Sequence, residues 1–147
     1  VVERLGTLYM TTVNMRPGKA QTFGIVNGTP VFGLPGNPAA AYMGFSLLIR
    51  PALRAMQGYT ALEHPHIRAR ITVSKKKKDP RRIFSRATIR RGADGTLEVT
   101  PRKTRARACS ASSRKQLRRY MPEGLDPVHE GDMVECILLD APEETVL

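Results

Sequence analysis

The run Gly33-Leu34-Pro35-Gly36-Asn37-Pro38 leads straight into an apolar stretch with helical spacing, so the chain must end a strand, hold a rigid loop and start a helix within a few residues. Glycine lets a ligand approach backbone N–H groups closely. Asn37 is a helix-capping type, and Pro38 falls at the first helical position, where a missing N–H costs nothing. Bare amides and the positive end of the helix dipole make such a start a seat for phosphate or another oxyanion. The segment is therefore the expected anion-binding element of the chain.

Local signals set the neighbouring elements. Leu8–Val13, rich in β-branched and apolar residues, is predicted as a strand, ended by Met15-Arg16-Pro17-Gly18-Lys19, where Pro-Gly marks a turn. Thr22–Val26 and Thr29–Gly33 flank Asn27-Gly28, the strongest short hairpin signal. After the loop, Tyr42, Phe45, Ile49, Ala52 and Met56 recur at three- and four-residue steps, which predicts an apolar helix face closed at Gly58. Pro51 inside that pattern should kink the helix or restart it after Arg50. The chain opens Val1-Val2-Glu3-Arg4-Leu5-Gly6 without an initiator Met, like the last turn of a helix closed by Gly6, and reads as a fragment whose first part is missing.

Composition changes near Glu63-His64-Pro65-His66, which separates a unit spanning 1–62 from one spanning 63–147. In the second unit Ile67, Ala69, Ile71 and Val73 alternate with polar residues, the mark of a half-buried strand. Lys75–Arg82 is a charged loop; Ile83–Arg90, Leu97–Thr100 and Met133–Leu139 are predicted strands, with a turn at Ala93-Asp94-Gly95-Thr96. Arg102–Arg119 has no clear period and receives no element. The expectation is an α/β half followed by a small all-β barrel or sandwich.

The formal net charge of +11 conceals a sharper pattern, because residues 64–119 carry nineteen Lys/Arg against three Asp/Glu while residues 120–147 carry none against eight. Such a basic middle can steer anions or nucleic acid. Membrane spanning is excluded for a helix, since the longest nearly apolar run, Ala39–Ile49, falls well short of roughly 18 residues. Cys109 and Cys136 are too few for a disulfide framework or zinc knuckle, which implies a reducing, cytoplasmic setting. His64, His66 and His129 lack metal-ligand spacing and read as surface or linker residues.

Arg16 and Lys19 bracket the Pro-Gly turn, so both cationic heads can face one point past the strand end. Arginine offers a planar fork and lysine a compact charge, a pairing suited to an oxyanion. Together with the Gly33–Pro38 loop they outline one anion pocket.

Three motifs in order, Met15-Arg16-Pro17-Gly18-Lys19-Ala20-Gln21-Thr22-Phe23-Gly24, Pro30-Val31-Phe32-Gly33-Leu34-Pro35-Gly36-Asn37-Pro38-Ala39-Ala40-Ala41 and Arg50-Pro51-Ala52-Leu53, resemble the molybdopterin molybdotransferases, the group that includes bacterial MoeA and the gephyrin E domain. The resemblance is close to about residue 60 and looser to Leu139, through Asp79-Pro80-Arg81-Arg82-Ile83-Phe84-Ser85-Arg86, Pro122-Glu123-Gly124 and Glu130-Gly131-Asp132-Met133-Val134-Glu135. It implies the C-terminal half of an α/β molybdopterin-binding domain followed by a small β-barrel. The implied enzyme joins molybdate to the dithiolene of adenylylated molybdopterin and releases AMP, with magnesium, as a cytoplasmic homodimer. It places molybdate at Arg16 and Lys19, where the family has Lys-Pro-Gly-Lys-Pro, so that Arg16 stands for a lysine and Ala20 for a proline. Gly33, Pro35, Gly36, Asn37 and Pro38 match the loop bordering the pterin and nucleotide, and Arg81 matches a further molybdate arginine, with Arg82 and Arg86 as alternatives. The family's serine donor falls at Ala106-Arg107-Ala108, with Ser110, Ser112 and Ser113 slightly later. The family's acidic magnesium ligands precede residue 1, so this stretch alone is expected to be inactive.

Two other classes fit less well. A basic barrel binding nucleic acid normally offers aromatic platforms, and residues 64–119 hold only Phe84. A partner-binding scaffold needs an exposed apolar patch, which a charged barrel surface disfavours.

Overall fold

The computed structural model describes residues 1–102, 117–121 and 123–139, with backbone alone over 117–121. They fall into two compact units, Val1–Glu63 and His64–Leu147, and the fold is mixed α/β.

In the first unit a short helix α1 (Val2–Leu5) leads into strand β1 (Thr7–Met10), shorter than the predicted Leu8–Val13. Gly6 does donate its N–H to Val2 O at 2.9 Å, but with φ −171° it is extended and not a left-handed cap. A two-residue strand β2 (Met15–Arg16) precedes the Pro-Gly bend. Strands β3 (Thr22–Val26) and β4 (Thr29–Gly33) form the predicted hairpin, and β1 joins its other edge, giving the order β1-β3-β4. The turn needs positive φ at both central residues, and Asn27 (49°) and Gly28 (78°) supply it. Phe23 lies directly opposite Phe32, their rings 4.9 Å apart, and Tyr9 stacks on Phe23 at 5.7 Å. Aromatic cross-strand pairs of this kind fix register.

The helix starts at Pro38 as α2 (Pro38–Gly44), widens into a π-helical turn (Phe45–Ile49) and continues as α3 (Arg50–Met56). Pro51 explains the widening. It can donate no N–H, and its ring would strike the carbonyl one turn back in a regular α-helix. Arg50 N–H bonding to Phe45 O, five residues back, makes the extra room without a break. The expected apolar face is not the buried one. Ala40, Met43, Gly44 and Ser46 are buried, whereas Tyr42, Phe45 and Met56 are exposed.

The second unit holds β5 (His66–Ile71), β6 (Arg82–Arg91), β7 (Leu97–Pro101), β8 (Leu117–Met121) and β9 (Met133–Leu138). Strand β8 lies where no element was predicted. These strands pair in a ring: β6 with β7, β7 with β5, β5 with β9, β9 with β8, and β8 with β6. All pairs are antiparallel except β5 with β7, whose register sets Ile71 against Val99. Ile67, Ala69, Ile71, Ala87, Val99, Val134 and Cys136 form the core of this unit; the first three are the inward half of the alternation read from the sequence, whereas Val73 lies past the end of β5 and is exposed.

Candidate functional site

The anion loop is built outward from β4. Gly33 ends that strand against Thr22, its register partner on β3, and a β-carbon at Gly36 would meet no atom within 4 Å, so the loop stands open at its middle. Asn37, with φ −72° and ψ 119°, takes the N-cap position, and its Oδ1 accepts from Ala39 N at 3.0 Å and Ala40 N at 3.3 Å. Ala40 and Ala41 also donate to Asn37 O, each at 2.9 Å. This corrects one expectation. The first-turn amides at Ala39, Ala40 and Ala41 already have acceptors in the protein, because the capping side chain that starts the helix also consumes its donors. The loop offers an open, conformationally fixed surface around Gly36 more than a row of bare amides.

The Arg16–Lys19 bend is held just as locally. Val13 donates to Lys19 O at 2.8 Å and Met15 to Val13 O at 2.8 Å, while the Arg16–Pro17 peptide is cis. Gly18 has φ +108°, a conformation suited to glycine, and a β-carbon there would sit 3.4 Å from Ala40 O. Arg16 and Lys19 are exposed at either end of the bend, and Met15 beneath it is only 2% exposed.

Bend and loop meet at one residue. Ala40 gives its N–H to Asn37 and its carbonyl to the Gln21 amide, whose Nε2 donates at 3.5 Å. The structure thus brings the bend between Arg16 and Lys19 to the first turn of the helix that the Gly33–Pro38 loop starts. Gln21 and Ala40 were not singled out by sequence, and neither has a residue type that signals a site.

Arg81 belongs to the other unit, at the end of the charged loop. Its Nε donates to Asp79 Oδ1 at 2.9 Å and its Nη2 to Asp79 Oδ2 at 2.6 Å, while its backbone N–H reaches Oδ1 at 3.1 Å. The hydrogen bond that Arg81 donates to Asp79 raises the Arg81 pKa, against desolvation, so the guanidinium is charged and oriented as a fork. Asp79, two residues before Arg81 in an Asx-turn relation, is a signal that sequence reading could have used. The loop is zipped to the segment before β9 by Lys75 N to Val128 O at 2.7 Å, Val128 N to Lys75 O at 3.0 Å and Gly124 N to Pro80 O at 2.9 Å. Arg82 is exposed and Arg86 half-buried, both with interactions of their own. The serine-donor positions, Ala106 to Ala108 and Ser110, Ser112 and Ser113, lie outside the described residues.

Besides Arg81, two arginines of the second unit are paired with carboxylates. Arg70 pairs with Asp94 at 2.9 Å and Arg90 with Glu98 at 2.7 Å. No group of three or more His, Cys, Asp and Glu side chains among the described residues is placed to hold a metal ion, so these residues do not fit the magnesium that the resemblance implies. No helix among them is long and apolar enough to cross a membrane.

Residues 1–55 match a family described as "Probable molybdopterin binding domain". The chain is similar to the molybdopterin molybdenumtransferase of Staphylococcus aureus (strain COL), at 32% identity over 92% of this chain and 33% of that protein. It is also similar to molybdopterin molybdenumtransferase 2 of Mycobacterium tuberculosis, at 38% identity over 60% of this chain and 22% of that one. Among solved structures, a molybdopterin biosynthesis MoeA protein from Pyrococcus horikoshii superposes with a TM-score of 0.71 and 26% identity, over 95% of this chain and 34% of its own. The chain therefore spans about a third of the length of the Staphylococcus relative.

Proposed function

We propose that this chain, a member of the molybdopterin molybdotransferase family typified by MoeA, acts in molybdenum cofactor biosynthesis by binding molybdate and adenylylated molybdopterin, so that the metal joins the dithiolene as the phosphoanhydride is cleaved and AMP leaves. In this reading the second unit is a small barrel, and its Arg81 is an anion-binding residue.

Each group has a part in it. Arg16 and Lys19 supply two fixed positive charges and hydrogen-bond donors to a tetrahedral dianion, a combination roughly twice as strong as neutral hydrogen bonding. Arg81, oriented by Asp79, presents its remaining N–H edge to the same class of ligand. The open surface at Gly36 lets the pterin or nucleotide lie against backbone, and Pro35 and Pro38 keep that surface from collapsing. The work of these residues is binding and orientation, which carries much of the barrier reduction in reactions at anionic centres.

The observation that carries the reading is the meeting of bend and loop at Ala40. It is tested by calorimetric titration with sodium molybdate. The Arg16→Ala plus Lys19→Ala variant should bind at least tenfold more weakly than the unsubstituted chain, and an unchanged isotherm rejects the site.

A further inference from the structure

Gln21 is 1% exposed, and its Oε1 is buried with no hydrogen-bond partner. A buried amide that satisfies only half of its polar atoms is a liability for folding, and an apolar side chain of the same length avoids it. The surroundings explain what the amide does. A β-carbon at Gly18 would lie 2.8 Å from its Nε2, and one at Gly44 would lie 2.3 Å from its Oε1. The absence of side chains on both the bend and the helix therefore makes a slot that the amide fills, with Nε2 directed at Ala40 O.

We infer that Gln21 is a positioning residue: its amide locks the Arg16–Lys19 bend against the helix that carries the Gly33–Pro38 loop, and so sets the geometry with which the two cations meet an oxyanion. This rests on the proposed function. A side chain wedged between Gly18 and Gly44 keeps the bend from sliding along α2, and a fixed bend fixes the spacing of the cations on either side of it. Fixed spacing discriminates by size, favouring molybdate over the smaller sulfate.

The test uses Gln21→Leu, which removes the amide in an apolar side chain one bond shorter, and Gly44→Ala, which leaves Gln21 intact but places a methyl where Oε1 lies. Should the first variant fold poorly, the second still reads the slot, since alanine is favoured in a helix. Two measurements are made on each: the ratio of sodium molybdate to sodium sulfate affinity, and hydrogen exchange at the Val13 amide, which donates to Lys19 O. Both variants should lower the affinity ratio at least threefold and speed Val13 exchange at least fivefold, with the melting temperature of Gln21→Leu unchanged or raised. A lowered melting temperature with an unchanged ratio assigns Gln21 a merely structural role and overturns the proposal, as does unchanged exchange at Val13. If the unsubstituted chain binds neither anion, the proposed function fails, and the exchange measurement alone then decides whether Gln21 holds the bend.

Discussion

Replacing Asn37 by alanine removes the Oδ1 that accepts from Ala39 N at 3.0 Å and Ala40 N at 3.3 Å. The losses are unequal. Ala40 N keeps its bond to Asn37 O at 2.9 Å, and the Ala39 bond lies at the surface, where water can replace it. The cost should therefore sit in the lower half of the usual N-cap range, about 0.5–1 kcal/mol. For a cooperative unit the size of Val1–Glu63, that is a fall of roughly 2–8 °C in melting temperature. Circular dichroism at 222 nm reads it directly. Asn37→Ser should retain most of the stability, because serine also caps, and Asn37→Gly should lose only a few tenths of a kcal/mol, about a third of the alanine effect. Equal losses in serine and alanine variants would show that Oδ1 contributes nothing as a cap and that the helix start is held by its backbone alone. The substitution has a second consequence. It bares the Ala39 amide that the native cap occupies, so inorganic phosphate at fixed concentration should raise the melting temperature of Asn37→Ala more than that of the unsubstituted chain.

Three further outcomes follow from the geometry. Gly28→Ala forces a β-carbon into a residue at φ +78° and should lower the urea midpoint by the equivalent of about 1 kcal/mol; an unchanged midpoint would contradict the hairpin turn. Arg81→Lys keeps the charge but cannot form the fork to Asp79, so molybdate affinity should fall several-fold while stability changes by less than about 1 kcal/mol; titration and thermal melting separate the two. Asp94 has its pKa lowered by the Thr96 backbone N–H first and by Arg70 next, so its contribution to stability is complete above the unfolded carboxylate value near 3.8 and fades as pH falls through the lower folded value. Asp94→Asn should flatten that acid limb in a pH series of melts, and an identical limb would refute the assignment.

Where a single residue's conformational preference decides the local structure, the sequence is a sufficient guide. Asn27-Gly28 tolerates positive φ, so the hairpin appears between the predicted strands; Asn37 and Pro38 start the helix where a cap and a donorless residue belong; Ile67, Ala69 and Ile71 turn inward as their alternation requires. Strand β8 escaped because its Leu-Arg-Arg-Tyr-Met run shows no alternation, and its pairing depends on β6 and β9, distant in sequence.

The helix shows where such preferences stop. Its periodicity names an apolar face, yet the buried side carries Ala40, Met43, Gly44 and Ser46, where the glycine leaves room for the Gln21 amide. By itself the amino-acid order determined the turns, the cap, the alternating strands and the two cations of the bend, all of which depend on backbone preferences acting over a few residues. Only the tertiary structure decided which helix face is covered and that Ala40 joins the bend to the loop. Those outcomes depend on contacts between segments whose separation no local propensity encodes.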